Sequence, residues 1–331
     1  MRQRGLFGEE RELQIITHSA AECFQECRVK WDYRYNREIV PTEPQPALDF
    51  GTAIHAGLEF WFKYGTAAGA VEAGVSRGAE LGMATADLCK VQVLLERYTE
   101  IYKEEPFEVV EVEKTFRTVL VNPRTMCQSR TYAYMGKVDA LVKKADGFYI
   151  LEHKTTSEIK DSYLEALELR QQTTLYAWAM EAEGYPVRGV IYDIIEKPGI
   201  KMAAGETEEE FEARRAALLA KSKTGKTTAQ RREAETPDAF MARLREKVTA
   251  ASFRRVTLDM DIMRTREAMN NLWRTAKDMM HAEVYPNTGA CASFGKVCPY
   301  LELCRKHGNT AECGEMYRKG KAHCELQERG R

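Results

Sequence analysis

Three stretches of the chain carry the pattern of strands. In FEVVEVEKTFRTVLV (107–121), TYAYMGKVDALVKK (131–144) and FYILEHK (148–154), β-branched and aromatic residues recur between polar ones, which favours extended backbone over helix. Asp146-Gly147 between the last two is a hairpin signal. Taken as the two-residue turn, it sets Asp139 opposite Lys154 and Leu141 opposite Glu152. Helical spacing surrounds this block. SAAECFQECRVKW has Ser19 and Glu22 at the spacing of a capping box, which predicts a helix from near residue 20 with Cys23 and Cys27 on one face. After the Pro-rich PTEPQP (41–46), LDFGTAIHAGLEFWFKYG (48–65) predicts a helix with His55 and Glu59 on one face. Further helices are predicted over 83–104 and 162–184, strands over 187–197 and near 254–259, and a long helix to about 283. Residues 203–250 are charged and read as an inserted helix pair joined by KSKTGKTTAQRR. Helix, three strands, helix and strand in that order imply a mixed α/β fold.

Composition adds limits. With 331 residues, 44% hydrophobic and 30% charged, the chain buries a substantial core. Lys and Arg number 49 against 50 Asp and Glu, so the net charge of −1 gives no global attraction to nucleic acid, and any such partner must be held locally. No apolar run reaches the length of a membrane span, and MRQRGLFGEERELQ lacks the apolar stretch of a signal peptide. The expectation is a cytoplasmic protein without a membrane partner, in which nine cysteines point to metal rather than disulfides.

The candidate chemistry starts at LEHKTTSE (151–158). Glu152 and Lys154 share one face of a strand that enters a core, while His153 points away. The expected hairpin brings Asp139 to the same face. Two carboxylates and an ammonium so gathered suit either a divalent cation with a lysine beside it or a structural ion pair. Three features accompany them: a glycine three residues before Asp139 in MGKVDALV, His55 in GTAIHAGLE, and Gln172-x3-Tyr176 in QQTTLYAW.

Together these motifs resemble the PD-(D/E)XK nuclease superfamily, in particular its RecB-like branch of CRISPR-associated and phage exonucleases with an iron–sulfur cluster. The resemblance spans residues 17–180 and 285–305. It implies a restriction-endonuclease-like α/β core, a mixed central sheet flanked by helices, within a single nuclease domain over 1–331. Within it, 48–105 would carry the motif histidine, 107–197 the catalytic sheet and 203–250 a helical insertion. The resemblance further implies His55, Asp139 and Glu152 as ligands of Mg²⁺ or Mn²⁺, Lys154 as catalytic lysine, and Gln172 and Tyr176 as supports of the site and the DNA. Glu113 matches an acidic position on the first strand. Such residues fit phosphodiester hydrolysis, which needs an activated water and charge stabilisation at phosphorus.

CASFGKVCPYLELC spaces Cys291, Cys298 and Cys304 as in the cysteine triplet of the cluster-bearing relatives, whose fourth cysteine comes from the N-terminal helix. Cys27 matches best, with Cys23 as alternative. The implied cofactor is a [4Fe–4S] cluster, with Zn²⁺ as the other choice for four thiolates, and its role would be to staple two chain regions with little other reason to meet. Cys89 and Cys127 are expected to be small buried residues, and Cys313, His323 and Cys324 to belong to a frayed terminus rather than to a further site. RVKWDYRYNR (28–37) offers aromatic and basic side chains for strand contact, or for the core. The basic stretch 221–232 suits phosphate contact or a solvated loop. AKSKTGKTT (220–228) imitates a phosphate-binding loop, but Ala220 replaces its first glycine and a helix precedes it. The expected function is a metal-dependent DNA exonuclease acting on ends or single strands in recombination, repair or phage replication, with a recombination or replication protein as partner. The alternatives are an idle DNA-binding scaffold subunit and a CRISPR spacer-acquisition nuclease.

Overall fold

A computed structural model describes residues 3–4, 10–43, 46–293, 296–323 and 326. Six strands form one mixed sheet: β1 (Gln14–Ile16), β2 (Glu108–Val121), β3 (Gln128–Lys144), β4 (Gly147–Thr156), β5 (Val187–Glu196) and β6 (Phe253–Asp259). β2, β3 and β4 run antiparallel in succession, β5 is parallel to β4, and β6 closes the far edge antiparallel to β5. The buried run Gly189–Ile195 of β5 has the character of a strand covered on both faces.

Helices α1 (His18–Glu26), α7 (Gln171–Ala182) and α10 (Ile262–Met280) pack together on one side of the sheet. Ala268, Met269, Leu272, Thr275, Ala276 and Met279 make one buried stripe on α10, and its apolar members join Ile16, Phe116, Tyr134, Leu175 and Tyr192 in a core cluster. A second cluster gathers α3 (Pro46–Tyr64), α5 (Thr85–Ile101) and α9 (Pro237–Lys247) through Phe50, Ile54, Leu58, Leu94, Leu95, Phe240 and Leu244. The remaining α-helices among the described residues are α2 (Arg28–Trp31), α4 (Ala67–Glu80), α6 (Asp161–Leu167), α8 (Glu208–Lys221) and α11 (Leu301–Arg305). The charged region 203–250 is therefore only half an appendage. α8 has no buried residue, whereas α9 inserts Phe240 and Leu244 into the core.

The structure corrects several sequence expectations. The hairpin turn is Ala145-Asp146, because Lys144 pairs with Gly147 and Ala140 with Leu151. Continued in this register, Asp139 comes level with Glu152, not Lys154. Gly147 begins β4 at φ +146°, where a Cβ would lie 2.7 Å from Arg188 Cγ, so its special conformation belongs to the strand entry rather than the turn. The first helix is capped by Thr17, which accepts from the Ala20 N–H, and not by Ser19, while Glu22 pairs with His18 at 3.1 Å. Cys27 lies beyond that helix in extended backbone, so Cys23 and Cys27 do not share a helical face. The predicted helix 162–184 is broken between α6 and α7 at residues 168–170. Cys89 is buried as expected, but Cys127 is exposed in the turn between β2 and β3.

The two chain regions said to have little reason to meet are joined by backbone pairing. Ile39–Pro41 forms a two-stranded sheet with Tyr317–Lys319. Tyr300 Oη donates to Ile39 O (2.8 Å), Arg37 Nη2 to Gly308 O (2.7 Å) and Asn287 Nδ2 to Glu26 O (2.8 Å). Among the described residues, no helix is long and apolar enough to cross a membrane.

Candidate active site

The site follows from how the edges of β3 are shared. β2 pairs along one edge for almost the whole strand. On the other edge, β1 takes residues 132–134 and β4 takes 140–144, so the sheet parts over the residues between. Asp139 stands where β4 departs. The His153 N–H donates to Asp139 Oδ2 (2.8 Å) in place of a ladder hydrogen bond, so the two strands separate around a carboxylate.

A cleft of about 430 Å³ opens at this parting, and His55, Asp139, Glu152, Lys154, Gln172 and Tyr176 all line it. His55 Nδ1, delivered by α3, lies 3.3 Å from Asp139 Oδ1. Lys154 Nζ donates to Glu152 Oε1 (2.6 Å) and to Gln172 Oε1 (3.3 Å), and Gln172 Nε2 donates to Tyr176 Oη (3.1 Å). The i, i+4 spacing on α7 thus sets Gln172 between the lysine and the tyrosine. Glu59, one turn beyond His55, turns instead to Lys63 at 2.6 Å. Glu113 reaches the cleft only through its ion pair with Lys137, which lines it; Glu113 holds φ +54°, a strained conformation for a residue with a side chain.

The electrostatics separate the two carboxylates. Burial by itself would raise the pKa of Asp139, but the charge and hydrogen bond of His55 hold it well below the usual range. Burial raises Glu152, with Asp139 adding repulsion and Lys154 opposing. Lys154 and His55 both lie above their ordinary values, because the facing carboxylates outweigh burial. Two carboxylate oxygen donors and an imidazole suit a hard or borderline divalent cation such as Mg²⁺ or Mn²⁺. Among the described residues no three His, Cys, Asp or Glu side chains are drawn together as an ion-holding set. His55 and Lys154 take up the two carboxylates instead.

Gly136 is needed for this geometry. A Cβ there would stand 2.5 Å from Phe116 Cζ and 2.8 Å from Tyr176 Cε1. Gly136→Ala is expected to cost about 1–3 kcal/mol by overpacking, and to push Tyr176 away from Gln172. Urea unfolding measures the first effect, and reduced turnover without reduced substrate affinity would show the second.

Behind the cleft lies a polar cluster that the sequence pattern did not announce. His153, expected merely to point away, donates from Nδ1 to Asp193 Oδ2 (3.1 Å), in the middle of the otherwise apolar VIYDII. A lone acid in such a run was the available signal.

The cysteines form a second locus. Cys27, Cys291, Cys298 and Cys304 line one cavity of about 230 Å³, with Lys30 on its wall. The Asn287 N–H donates to Cys27 Sγ (3.4 Å), and the Cys298 N–H donates to Cys291 O (2.8 Å). As placed, these thiols too make no ion-holding set of three. Cys23 packs against the core cluster, and its thiol is pushed up to about 12 by burial. Cys313 is buried, His323 lies against Tyr35 with ring centroids 5.3 Å apart, and Cys324 falls outside the described residues. In RVKWDYRYNR, Trp31 and Tyr33 are core residues rather than a stacking surface.

Comparisons with known proteins now bear on this geometry. No curated protein matches the chain. Among solved structures, it is similar to a protein of Eubacterium rectale provisionally assigned as an exonuclease, at 11% identity and a TM-score of 0.48 over 89% of this chain and 88% of that one. It is also similar to SSO0001, at 11% identity and a TM-score of 0.30 over 72% of this chain and 76% of that one. The family model of the PD-(D/E)XK nuclease superfamily matches residues 15–305, a span that holds all of the parted sheet but Gln14 and every cleft-lining residue named above. The chain belongs to the PD-(D/E)XK nuclease superfamily.

Proposed function

We propose that the cleft hydrolyses phosphodiester bonds of DNA and acts as an exonuclease on ends or single strands in recombination, repair or phage replication. What supports this most is that Asp139, Glu152 and Lys154 meet in one open cleft at a parting of the sheet, with the pKa of one carboxylate held down and that of the other pushed up. His55, Asp139 and Glu152 would hold Mg²⁺ or Mn²⁺, which when bound makes a water more acidic and neutralises charge on the phosphate. Asp139, kept ionised, supplies a permanent negative charge. Lys154 orients the attacking water and offsets charge at the phosphate oxygens. Gln172 keeps Lys154 from swinging away, and Tyr176 fixes Gln172.

We infer further that Cys27, Cys291, Cys298 and Cys304 hold a [4Fe–4S] cluster, Zn²⁺ being the alternative. Four thiols on one cavity wall, with an N–H aimed at a sulfur, support this assignment. A second reading, a DNA-binding scaffold without turnover, draws on the same ion pairs that occupy both carboxylates.

End-labelled single- and double-stranded DNA, incubated with Mg²⁺, Mn²⁺ or chelator, separates the two. Nuclease action predicts stepwise shortening with metal and none with chelator. Retarded but intact DNA under every condition would establish the scaffold.

A further inference from the structure

The buried polar cluster behind the cleft has no part in the chemistry just described. It is also expensive. Asp193 and Tyr98 are fully buried and His153 is 3% exposed. Tyr98 donates its hydroxyl hydrogen to Asp193 Oδ2, and Arg255 Nε donates to Asp193 Oδ1 (3.2 Å). Arg255 Nη2 donates to Tyr98 Oη (2.9 Å) and to Glu105 Oε1 (2.8 Å), while its guanidinium lies 3.6 Å from the centre of the Tyr102 ring. A carboxylate, a phenol and an imidazole have thus been taken out of water, with the half-buried Arg255 and Glu105 beside them, where Tyr192, Ile194 and Ile195 on the same strand are apolar. Apolar residues of similar volume would serve stability as well or better.

We propose that this cluster, through His153, is the support that holds the parted strands at the spacing the cleft requires, which makes His153, Asp193 and Arg255 positioning residues for the hydrolysis proposed above. His153 is the only residue of the cluster that touches the cleft from both structural directions. Its backbone N–H is bonded to Asp139, and the same residue sits between Glu152 and Lys154 in β4. Its ring is stacked on Phe62 at 5.3 Å and set edge-on to His55 at 5.9 Å, so it also indexes α3 against the sheet. Phe62 and His55 are both on α3, two turns apart. Fixing the imidazole therefore fixes three things together: the Asp139 carboxylate, the strand bearing Glu152 and Lys154, and the helix bearing His55. The Asp193 carboxylate fixes the imidazole by its Nδ1–H, and Arg255, anchored by Glu105, fixes the carboxylate. A polar chain does this better than apolar packing because each hydrogen bond has one direction, whereas van der Waals contact lets a ring or strand slide.

The inference rests on the nuclease reading for its kinetic part only, and the test separates the two. Asp193→Asn and His153→Phe are compared with His153→Asn, whose amide N–H can replace the Nδ1–H, and with Arg255→Lys as the variant farthest from the cleft. Each is measured on its folded fraction by circular dichroism. The expected result is a fall of about 10–100-fold in both Mn²⁺ affinity by calorimetry and kcat for Asp193→Asn and His153→Phe, the range for partners behind a metal ligand. KM for DNA stays unchanged, and His153→Asn recovers most of the loss. Hydrogen exchange should rise in peptides covering 150–156 and not in those covering 262–280. Folded Asp193→Asn and His153→Phe proteins with wild-type Mn²⁺ affinity and wild-type exchange over 150–156 would overturn the proposal. Should both fail to fold, Arg255→Lys decides by the same two measurements. Wild-type protein that cleaves no DNA would remove the nuclease reading while leaving the exchange measurement to decide the support.

Discussion

Lys154→Ala and Glu152→Gln should each lower DNA hydrolysis by about 10²–10⁴-fold while leaving DNA affinity within a few-fold of wild type. The magnitude is that of losing a charge stabiliser or an acid–base group from a site that keeps its shape. The two residues are bonded at 2.6 Å and largely buried, so either change also strands its partner, at a cost of about 1–3 kcal/mol. Stability and turnover must therefore be told apart. Glu152→Gln combined with Lys154→Met removes both charges and should regain much of the lost stability, but none of the activity. A folded double variant that still degrades DNA at the wild-type rate would remove the Glu152–Lys154 pair from the chemistry.

The second large effect concerns the four-cysteine cavity. Protein purified without oxygen should be brown, and Cys298→Ala should be colourless, because one of four ligands lost costs more than the ~10–100-fold typical of an outer partner. Cys89→Ala should keep the colour, since Cys89 is buried in the α5 core far along the chain from the cavity. Cys23→Ala should keep it as well, because Cys27 and not Cys23 lines the cavity. Colourless wild-type protein containing one zinc per chain would assign a zinc site. Protein with neither metal would leave the cavity a cluster of reduced thiols. Resistance to proteolysis should fall only in part in Cys298→Ala, since the Ile39–Pro41 and Tyr317–Lys319 pairing joins the same regions without any metal.

Much of the cleft was legible in the sequence because its parts lie on regular elements with short spacings. Glu152 and Lys154 are two apart on a strand, Gln172 and Tyr176 four apart on a helix, and the hairpin that carries Asp139 is local. Even an error of two residues in its register left Asp139 among the same neighbours. The features that escaped depend on what meets what across the chain. α4 carries three glycines, which lower its helix propensity, yet glycines on both helices allow α3 and α4 to approach closely: a Cβ on Gly74 of α4 would lie 3.1 Å from Ala53 O, and one on Gly57 of α3 2.8 Å from Ala70 O. The contact of His153 with Asp193, and that of Asp193 with Arg255, span 40 and 62 residues. No periodicity records such pairs. The join between residues 39–41 and 317–319 was invisible for the same reason, and its strands are only three residues long.

That join has a consequence in time. A ribosome adds roughly 5–20 residues per second, so Ile39–Pro41 leaves the exit tunnel on the order of 15–60 s before its partner strand exists. Over that interval the sheet edge of Ile39–Pro41 is unsatisfied, and Tyr33, which later packs against Tyr300, lacks that neighbour. The segment around Ile39–Pro41 is thus made long before the strand that completes it, a vectorial hazard that a chaperone holding the nascent chain would relieve. A synonymous-codon slowdown after residue 41 should lower the soluble yield, whereas the same slowdown placed after residue 319 should not.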